Sequence, residues 1–210
     1  MHIHVLAAGE FGGEVAARLS GLLSHVTTTP LAGLEGSAAY WPAADAYVIA
    51  AWRPVPALCR LIDELAHSWK RPFVPVVADG SLLRVGPVVV PQKGPCHGCY
   101  EKRRLQHSRT ADWDKAVTRH YDSSPEHGPK GFLAPVASIA AIQTARTLRD
   151  LEQAAGSVWT LDVVTRAVSL TSVVGVHGCP RCGLRRDESN RSFQTLQSEV
   201  LQLLPCKLNQ

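Results

Sequence analysis

The 210-residue chain has no hydrophobic run long enough to cross a bilayer. A spanning helix needs ~20 apolar residues, and the best candidate, LLRVGPVVVP at 82–91, is short and broken by Gly86 and Pro87. The N-terminus, MHIHVLAAGEFGGEV, lacks the basic region and long apolar core of a signal peptide. There is no internal repeat, no low-complexity tract and no long basic run; the formal net charge is only +4, and the five Trp are scattered rather than set along a basic stripe. These absences argue against a membrane protein and against a nucleic-acid partner, and lead us to expect a soluble, cytoplasmic protein. At 45% hydrophobic, the chain can bury a sizeable core.

What is present is a set of spaced cysteines. GPCHGC at 94–99 and GCPRCG at 178–183 each hold a Cys-x-x-Cys pair, and no cysteine lies between Cys99 and Cys179. In a reducing compartment thiols stay free, which favours metal over disulfides. Two such pairs supply the four thiolates of a structural zinc, so Cys96, Cys99, Cys179 and Cys182 are the expected ligands of a structural Zn²⁺. A catalytic zinc keeps an open position, usually with His or carboxylate ligands; His97 and His177 are adjacent, but four thiolates already fill the tetrahedron. Lys93, Lys102, Arg103 and Arg104 gather near the first pair, and Arg181, Arg185 and Arg186 near the second. They are expected to offset the charge of about −2 on a tetrathiolate zinc, with Arg103 and Arg104 alternatively forming part of a partner surface. Cys59, in an apolar helical pattern, reads as core; Cys206 is left over.

HIHVLAA reads as a strand, followed by a glycine turn and a helix over EVAARLSGLL; DAYVIAAW at 45–52 is a buried strand. VPALCRLIDELAHSW follows as a helix with Pro56 at its start and Leu58, Leu61, Ile62 and Leu65 along one face. PFVPVVADG is another strand, and SLLRVGPVVVP reads as strands about a Gly-Pro break. This alternation predicts an α/β fold with a largely parallel sheet. The polar stretch 107–131 is expected to be a flexible crossover holding one short helix, with His107, His120 and His127 solvated. FLAPVASIAAIQTARTLRDLEQAAG predicts a helix capped by Gly156, SVWTLDVVTRAVSLTSVVG two strands joined near TRA, and FQTLQSEVLQLL a last helix in a tail at 187–210.

Gly9, Gly12 and Gly13 stand between the first strand and its helix, where α/β folds hold phosphates on backbone N–H groups and the positive helix end. The same glycines also suit a plain strand-to-helix turn. Trp41 and Trp52 flank the strand at 45–52 and read as core packing or as a ligand platform.

Taken together, the glycine turn, FVPVVADGSLLRVGPVVVP, GPCHGC and the late GCPRCG resemble the ThiF-like, ubiquitin-activating-type superfamily. VGPVVVPQKGPCHGCYEKRRLQHSR further resembles its cyclodehydratase partner branch, the ThiF-like partners of YcaO enzymes in thiazole/oxazole-modified peptide biosynthesis. The likeness follows element order over 2–186 and is carried most by 81–105 and 174–183. It implies a Rossmann-like ThiF-type mixed sheet flanked by helices, with a tetra-cysteine zinc knuckle, in one domain over 1–186. Active members adenylate a carboxyl terminus with ATP. Against their GAGGLG pattern this chain has AAGEFG at 7–12: Gly9 and Gly12 match, Ala7 replaces a glycine, and Glu10 faces the triphosphate's place. Like charge there costs on the order of 1–4 kcal/mol, although an acid also suits a helix N-terminus and Glu10 is expected to cap it. HVTTTPLAGLEGSAAYWPAAD lacks the family's Arg, Gln and Lys; AAWRP stands for its Asp-rich CTDN-like turn, so Arg53 replaces a Mg²⁺ ligand; and the crossover has no thioester cysteine. ATP is therefore not expected on this chain, and Gly9, Gly12 and Gly13 form a degenerate nucleotide turn.

The resemblance implies a non-catalytic subunit that docks on and activates a YcaO cyclodehydratase during azoline formation. It also implies a homodimer and a precursor peptide met directly or through a separate leader-binding protein. In the family, leader capture uses β-augmentation on a winged-helix module ahead of the ThiF-like domain; this chain starts at its first strand and is expected to lack that module. The alternatives are an ATP-dependent enzyme adenylating a peptide C-terminus, and a zinc-ribbon nucleic-acid binder.

Overall fold

A computed structural model describes residues 1–31, 41–124, 127–129 and 131–183. Cys206, Arg185, Arg186 and the expected tail and helix at 187–210 lie outside these residues. β1 (Ile3–Ala8) and β3 (Ala46–Ala51) are buried along their whole length. Such unbroken apolar runs are what a parallel strand covered on both faces requires. β2 (Val26–Leu31) and β4 (Phe73–Asp79) complete a parallel block in the order β2-β1-β3-β4. β5 (Leu82–Val85), β6 (Ser157–Asp162) and β7 (Val168–Ser172) then add antiparallel strands, giving a seven-stranded sheet. The sheet is thus mixed: its parallel half is the block that sequence alternation predicts, and the antiparallel half follows from two tight hairpin connections. β2, VTTTPL, is an edge strand of Thr and Pro whose polar face carries no hydrophobic pattern, and Pro30 is tolerated because one side of an edge needs no ladder donor.

Helices cover both faces. α1 (Gly9–Leu22) and α5 (Ala134–Arg149) pack together on one face, over a core that includes Val5, Phe11, Val48, Val76 and Leu148. The buried stripe of α5 is built from Ala137, Ala140, Ala141, Thr144 and Ala145, small enough for close helix approach. On the other face, α2 (Pro56–Trp69) places Leu58 and Ile62 against Leu6, Ile49 and Phe73; each such side chain contributes about 1.5–3 kcal/mol on burial. Its buried face is Leu58, Cys59, Ile62, Asp63 and Ala66, rotated from the expected one: Leu61 is 39% exposed. α3 (His97–His107) and α4 (Ala111–Ser123) lie beyond α2, so the crossover segment contains a 13-residue helix.

α5 ends at Arg149, seven residues before the expected glycine cap, with Asp150 at its C-cap. Gly156, at φ 79°, instead leads into β6 where the chain passes Pro95; a Cβ would meet the Pro95 ring at 2.9 Å. The backbone entering the first cysteine pair is therefore pressed against the start of β6.

Candidate metal centre and the strand-to-helix turn

Cys96 is the N-cap of α3, Cys99 lies in its first turn, and Cys179 and Cys182 sit on the turns after β7. The four Sγ atoms lie within 4.8 Å of one another. Cys96 and Cys99 are 3.7 Å apart, Cys96 and Cys179 3.7 Å, and Cys99 and Cys182 3.4 Å. A tetrahedron with metal–sulfur bonds of ~2.3 Å has edges of about 3.8 Å, so the four thiols fit one ion and can hold it. Cys96 and Cys99 are buried, and Val173 and Val176 pack beside them.

The surroundings orient these thiols. Asp63, completely buried on α2, accepts the N–H of His97 at 3.0 Å and of Gly98 at 3.2 Å. It thereby caps a helix whose own N-cap makes no side-chain bond. The same carboxylate pairs with Arg181 of the second knuckle, which also reaches Glu64 at 2.8 Å. One acid on α2 thus ties together the two halves of the cluster, 34 and 118 residues away. Arg103 adds a second tie, donating to Val174 O at 3.2 Å and Gly175 O at 3.4 Å. The Val176 N–H points at Cys99 Sγ at 3.3 Å. Burial works against ionising Cys179, but hydrogen bonds from the Cys182 and Arg181 backbone and from the Cys99 and Cys96 thiols outweigh it and lower its thiol to about 6. Burial, reinforced by Asp63, pushes Cys96 up, and burial likewise raises Cys182 to about 11.

The cations near the cluster serve neighbouring acids more than the sulfurs. Lys93 pairs with Glu152, and Arg104 lies between Asp114 at 3.3 Å and Glu101 at 3.7 Å. Arg181 is placed to do both, near Cys96 and Asp63. Cys59 is a buried core thiol that burial pushes up to about 12.

The glycine turn occupies the carboxyl ends of β1 and β3, where the sheet order reverses and α/β proteins bind ligands. Gly9 has φ 65°, which favours glycine. Gly12 lets α1 lie tight on the sheet; a Cβ there would meet Ala50 O at 2.4 Å. Gly13 has open space around it. The turn keeps the shape of a cradle; Gly9, Glu10 and Gly13 are exposed, and the chain's own side chains stand against one side of it. The Trp52 ring lies against Gly9, where a Cβ would meet Cε3 at 2.6 Å. Beside it Arg53, fully buried, sits between the rings of Trp52 (5.3 Å) and Tyr121 (5.0 Å) and donates to Pro54 O and Ser124 O. Burial lowers its pKa against the pull of Tyr121 and Asp122. Glu10 is exposed in the first turn of α1; the N-cap is Ala8, and no side chain bonds to it, so Glu10 acts on the helix end only through its charge. Trp41 is buried, its ring edge-on to Trp69 at 6.5 Å, and is core. His120 and His127 stack at 3.9 Å on the crossover, and His107 is exposed.

Sequence reasoning missed Asp63, Trp52 as the cover of Gly9, and Arg53 as a buried clamp. A signal for Asp63 was present: it is the one charge on the buried stripe of α2.

No protein-family model matches the chain, and no curated protein sequence matches it. Solved structures do. The heterocyclase TruD superposes with a TM-score of 0.63 at 19% identity, covering 99% of this chain and 29% of TruD. This chain has the mixed α/β fold of the part of TruD on which it superposes. MccB from E. coli gives a TM-score of 0.61 at 15% identity over 88% of this chain and 65% of MccB. The E. coli microcin synthetase McbBCD complex gives 0.59 at 13% identity over 85% of this chain and 67% of the matched one. The chain therefore spans under a third of TruD and about two thirds of the other two. No helix among the described residues is long and apolar enough to cross a membrane.

Proposed function

We propose that this chain is a non-catalytic ThiF-like subunit that docks on a YcaO-type enzyme and activates it for azoline formation in a ribosomally made peptide. The observation that carries the reading is a strand-to-helix turn with cradle geometry, with Trp52 against Gly9 and the buried Arg53 beside it, in a fold shared with a heterocyclase and a microcin synthetase complex. Adenylation needs room for a triphosphate at the helix end and carboxylates to hold Mg²⁺. Here an indole narrows the turn at Gly9, Glu10 opposes an anion, and Arg53 stands in the place of a metal-binding acid. Zinc is the ion we assign to the four cysteines, since tetrahedral all-thiolate sites suit it; when bound it supplies structural cross-linking of α3 to the strand β7 connection. The precursor peptide meets this chain directly or through a separate leader-binding protein, and two copies form a homodimer.

The test is reconstitution of a YcaO enzyme and a precursor peptide with and without this chain. Loss of water from the peptide, read by mass spectrometry, should require it, and the chain should co-purify with the enzyme. Equal rates in its absence overturn the reading.

Adenylation of a peptide C-terminus is favoured by one observation, the likeness to MccB, which has been crystallised with AMPCPP and MccA. ATP-dependent pyrophosphate exchange by the purified chain would establish it. The nucleic-acid reading has less support: Arg18, Arg60, Arg71, Lys93, Arg104, Lys115 and Arg181 each pair with an acid, leaving mixed charge where a basic stripe is needed.

A further inference from the structure

A cavity of about 260 Å³ lies between α2, α3, α4 and the β4–β5 hairpin. α4 forms its roof without burying any residue of its own. Polar clips at the two ends hold the roof in place. Near its start, Asp114 meets Arg104 at 3.3 Å; near its end, Asp122 accepts the Ala57 N–H at 3.2 Å, pairs with Arg60 at 3.0 Å, and is followed by Ser124, whose carbonyl Arg53 holds at 3.1 Å. An element attached by its ends over a hollow leaves the hollow available to a ligand.

Two groups on the cavity wall, His97 and Arg84, hold buried nitrogens without partners among the described residues, and a third, Asp79, offers a carboxylate. His97 is 1% exposed, lines the cavity, and neither ring nitrogen has a hydrogen-bond partner among the described residues. Its neighbours are the rings of Phe73 at 6.0 Å and Tyr100 at 5.7 Å, which offer no lone pair in its plane. Leaving a buried polar group unmet costs ~1–3 kcal/mol, so His97, on a wall of the cavity, would gain from a polar guest that reaches its ring. Arg84, from β5, donates to the Tyr100 hydroxyl at 2.9 Å and stacks over that ring at 5.2 Å. Its Nε is buried without a partner, and no carboxylate pairs with it among the described residues. Asp79, at the exposed end of β4, lines the cavity, and Arg84 and Arg104 are close enough to act on its charge. Cys59 also contributes to the wall, but burial keeps it a thiol, so the site is built for binding and not for attack.

We propose that this cavity binds a compact zwitterion of amino-acid size, its carboxylate on Arg84 and the imidazole of His97 and its ammonium on Asp79. A guanidinium is the preferred carboxylate partner, and an imidazole N–H supplies a second donor. The volume is below that of drug-sized pockets, ~300–1,000 Å³, and excludes a long peptide. The exposed Trp113 and the Tyr121 ring lie on the α4 side, where they would cover the ligand's side chain. The site uses neither the cysteine cluster nor a YcaO partner, so it stands or falls independently of the proposed function.

The test is isothermal titration of the metal-loaded full chain with each of the standard L-amino acids at millimolar concentration. At least one should bind, and its N-acetyl and carboxamide derivatives should each bind at least tenfold more weakly. Arg84→Gln and Asp79→Asn, both outside the tightly packed core, should each weaken binding at least tenfold, with the first abolishing discrimination against the carboxamide and the second discrimination against the N-acetyl form. Absence of binding by every amino acid, or binding that is unchanged in Arg84→Gln, overturns the proposal and leaves the cavity to water.

Discussion

Two regions of this molecule carry the geometry of a binding site, and they have been finished in opposite ways. At the cysteine cluster the neighbouring elements hold the four sulfurs in place: Asp63 caps α3 and pairs with Arg181, and backbone N–H groups turn toward Cys99 and Cys179. At the glycine turn the backbone is equally well shaped, with Gly9 at φ 65° and Gly12 tight against β3, but Trp52 stands against it and Arg53 is buried beside it. The first region is shaped for an ion; the second is narrowed by its own chain. Backbone shape alone is thus a poor guide to binding, and the side chains that approach it from other elements decide.

The contrast can be tested at graded cost. The largest effect should come from the cluster: stripping metal with a chelator, or Cys96→Ser, should lower the thermal midpoint by about 10 °C and abolish bound metal in elemental analysis. An unchanged midpoint would make the cluster ornamental. Next, Asp63→Asn breaks a buried ion pair and weakens a helix cap at once; chemical denaturation should show a loss of about 3 kcal/mol and weaker metal retention. At the turn, Gly9→Ala puts a methyl group into the Trp52 ring at a left-handed φ and should cost about 2 kcal/mol without any change in metal content. Recovery of part of that loss in Gly9→Ala with Trp52→Ala would confirm that the indole, and not a ligand, occupies the space.

Acid should separate the two regions further. His4, buried in β1 and bonded to Thr27 Oγ1 at 2.9 Å, has its pKa lowered to about 4, by burial first and by His2 second. The folded state therefore keeps it neutral while the unfolded chain protonates near 6.5. Its stabilising contribution is complete above pH 6.5 and is lost as pH falls toward 4, on the order of 1–3 kcal/mol. In His4→Phe that part of the acid slope should vanish, leaving the slope due to protonation of the cysteine ligands. The smallest effect is a gain: Gly13→Ala, in α1 with open space around it, should stabilise by about 0.5–1 kcal/mol. A loss there would mean that the third glycine still serves a ligand.

How far each region could be read from the sequence follows from the range of the interactions. The cysteine pairs were legible because ligand spacing within each knuckle is local, and so were β1, β3 and α2, whose apolar runs answer to burial on one or both sides. β2 was not, since an edge strand of Thr and Pro need not be hydrophobic. The stop of α5 at Arg149 was hidden because DLEQAAG has helical composition; the fold ends the helix early so that Gly156 can pass Pro95. Asp63 and Trp52 act on residues far from them in sequence, Asp63 on His97 and Arg181 and Trp52 on Gly9, and such pairings exist only once the sheet has been assembled.

The single carboxylate of Asp63 also has a dynamic consequence. Because it grips the first turn of α3 and the arginine of the distant knuckle together, neither can swing open without releasing the other from α2. Amide protons of His97 and Gly98 should therefore trade with solvent deuterium only through one concerted opening that frees both chain segments. Two stretches lying eighty residues apart would then behave as a single hinge-free unit.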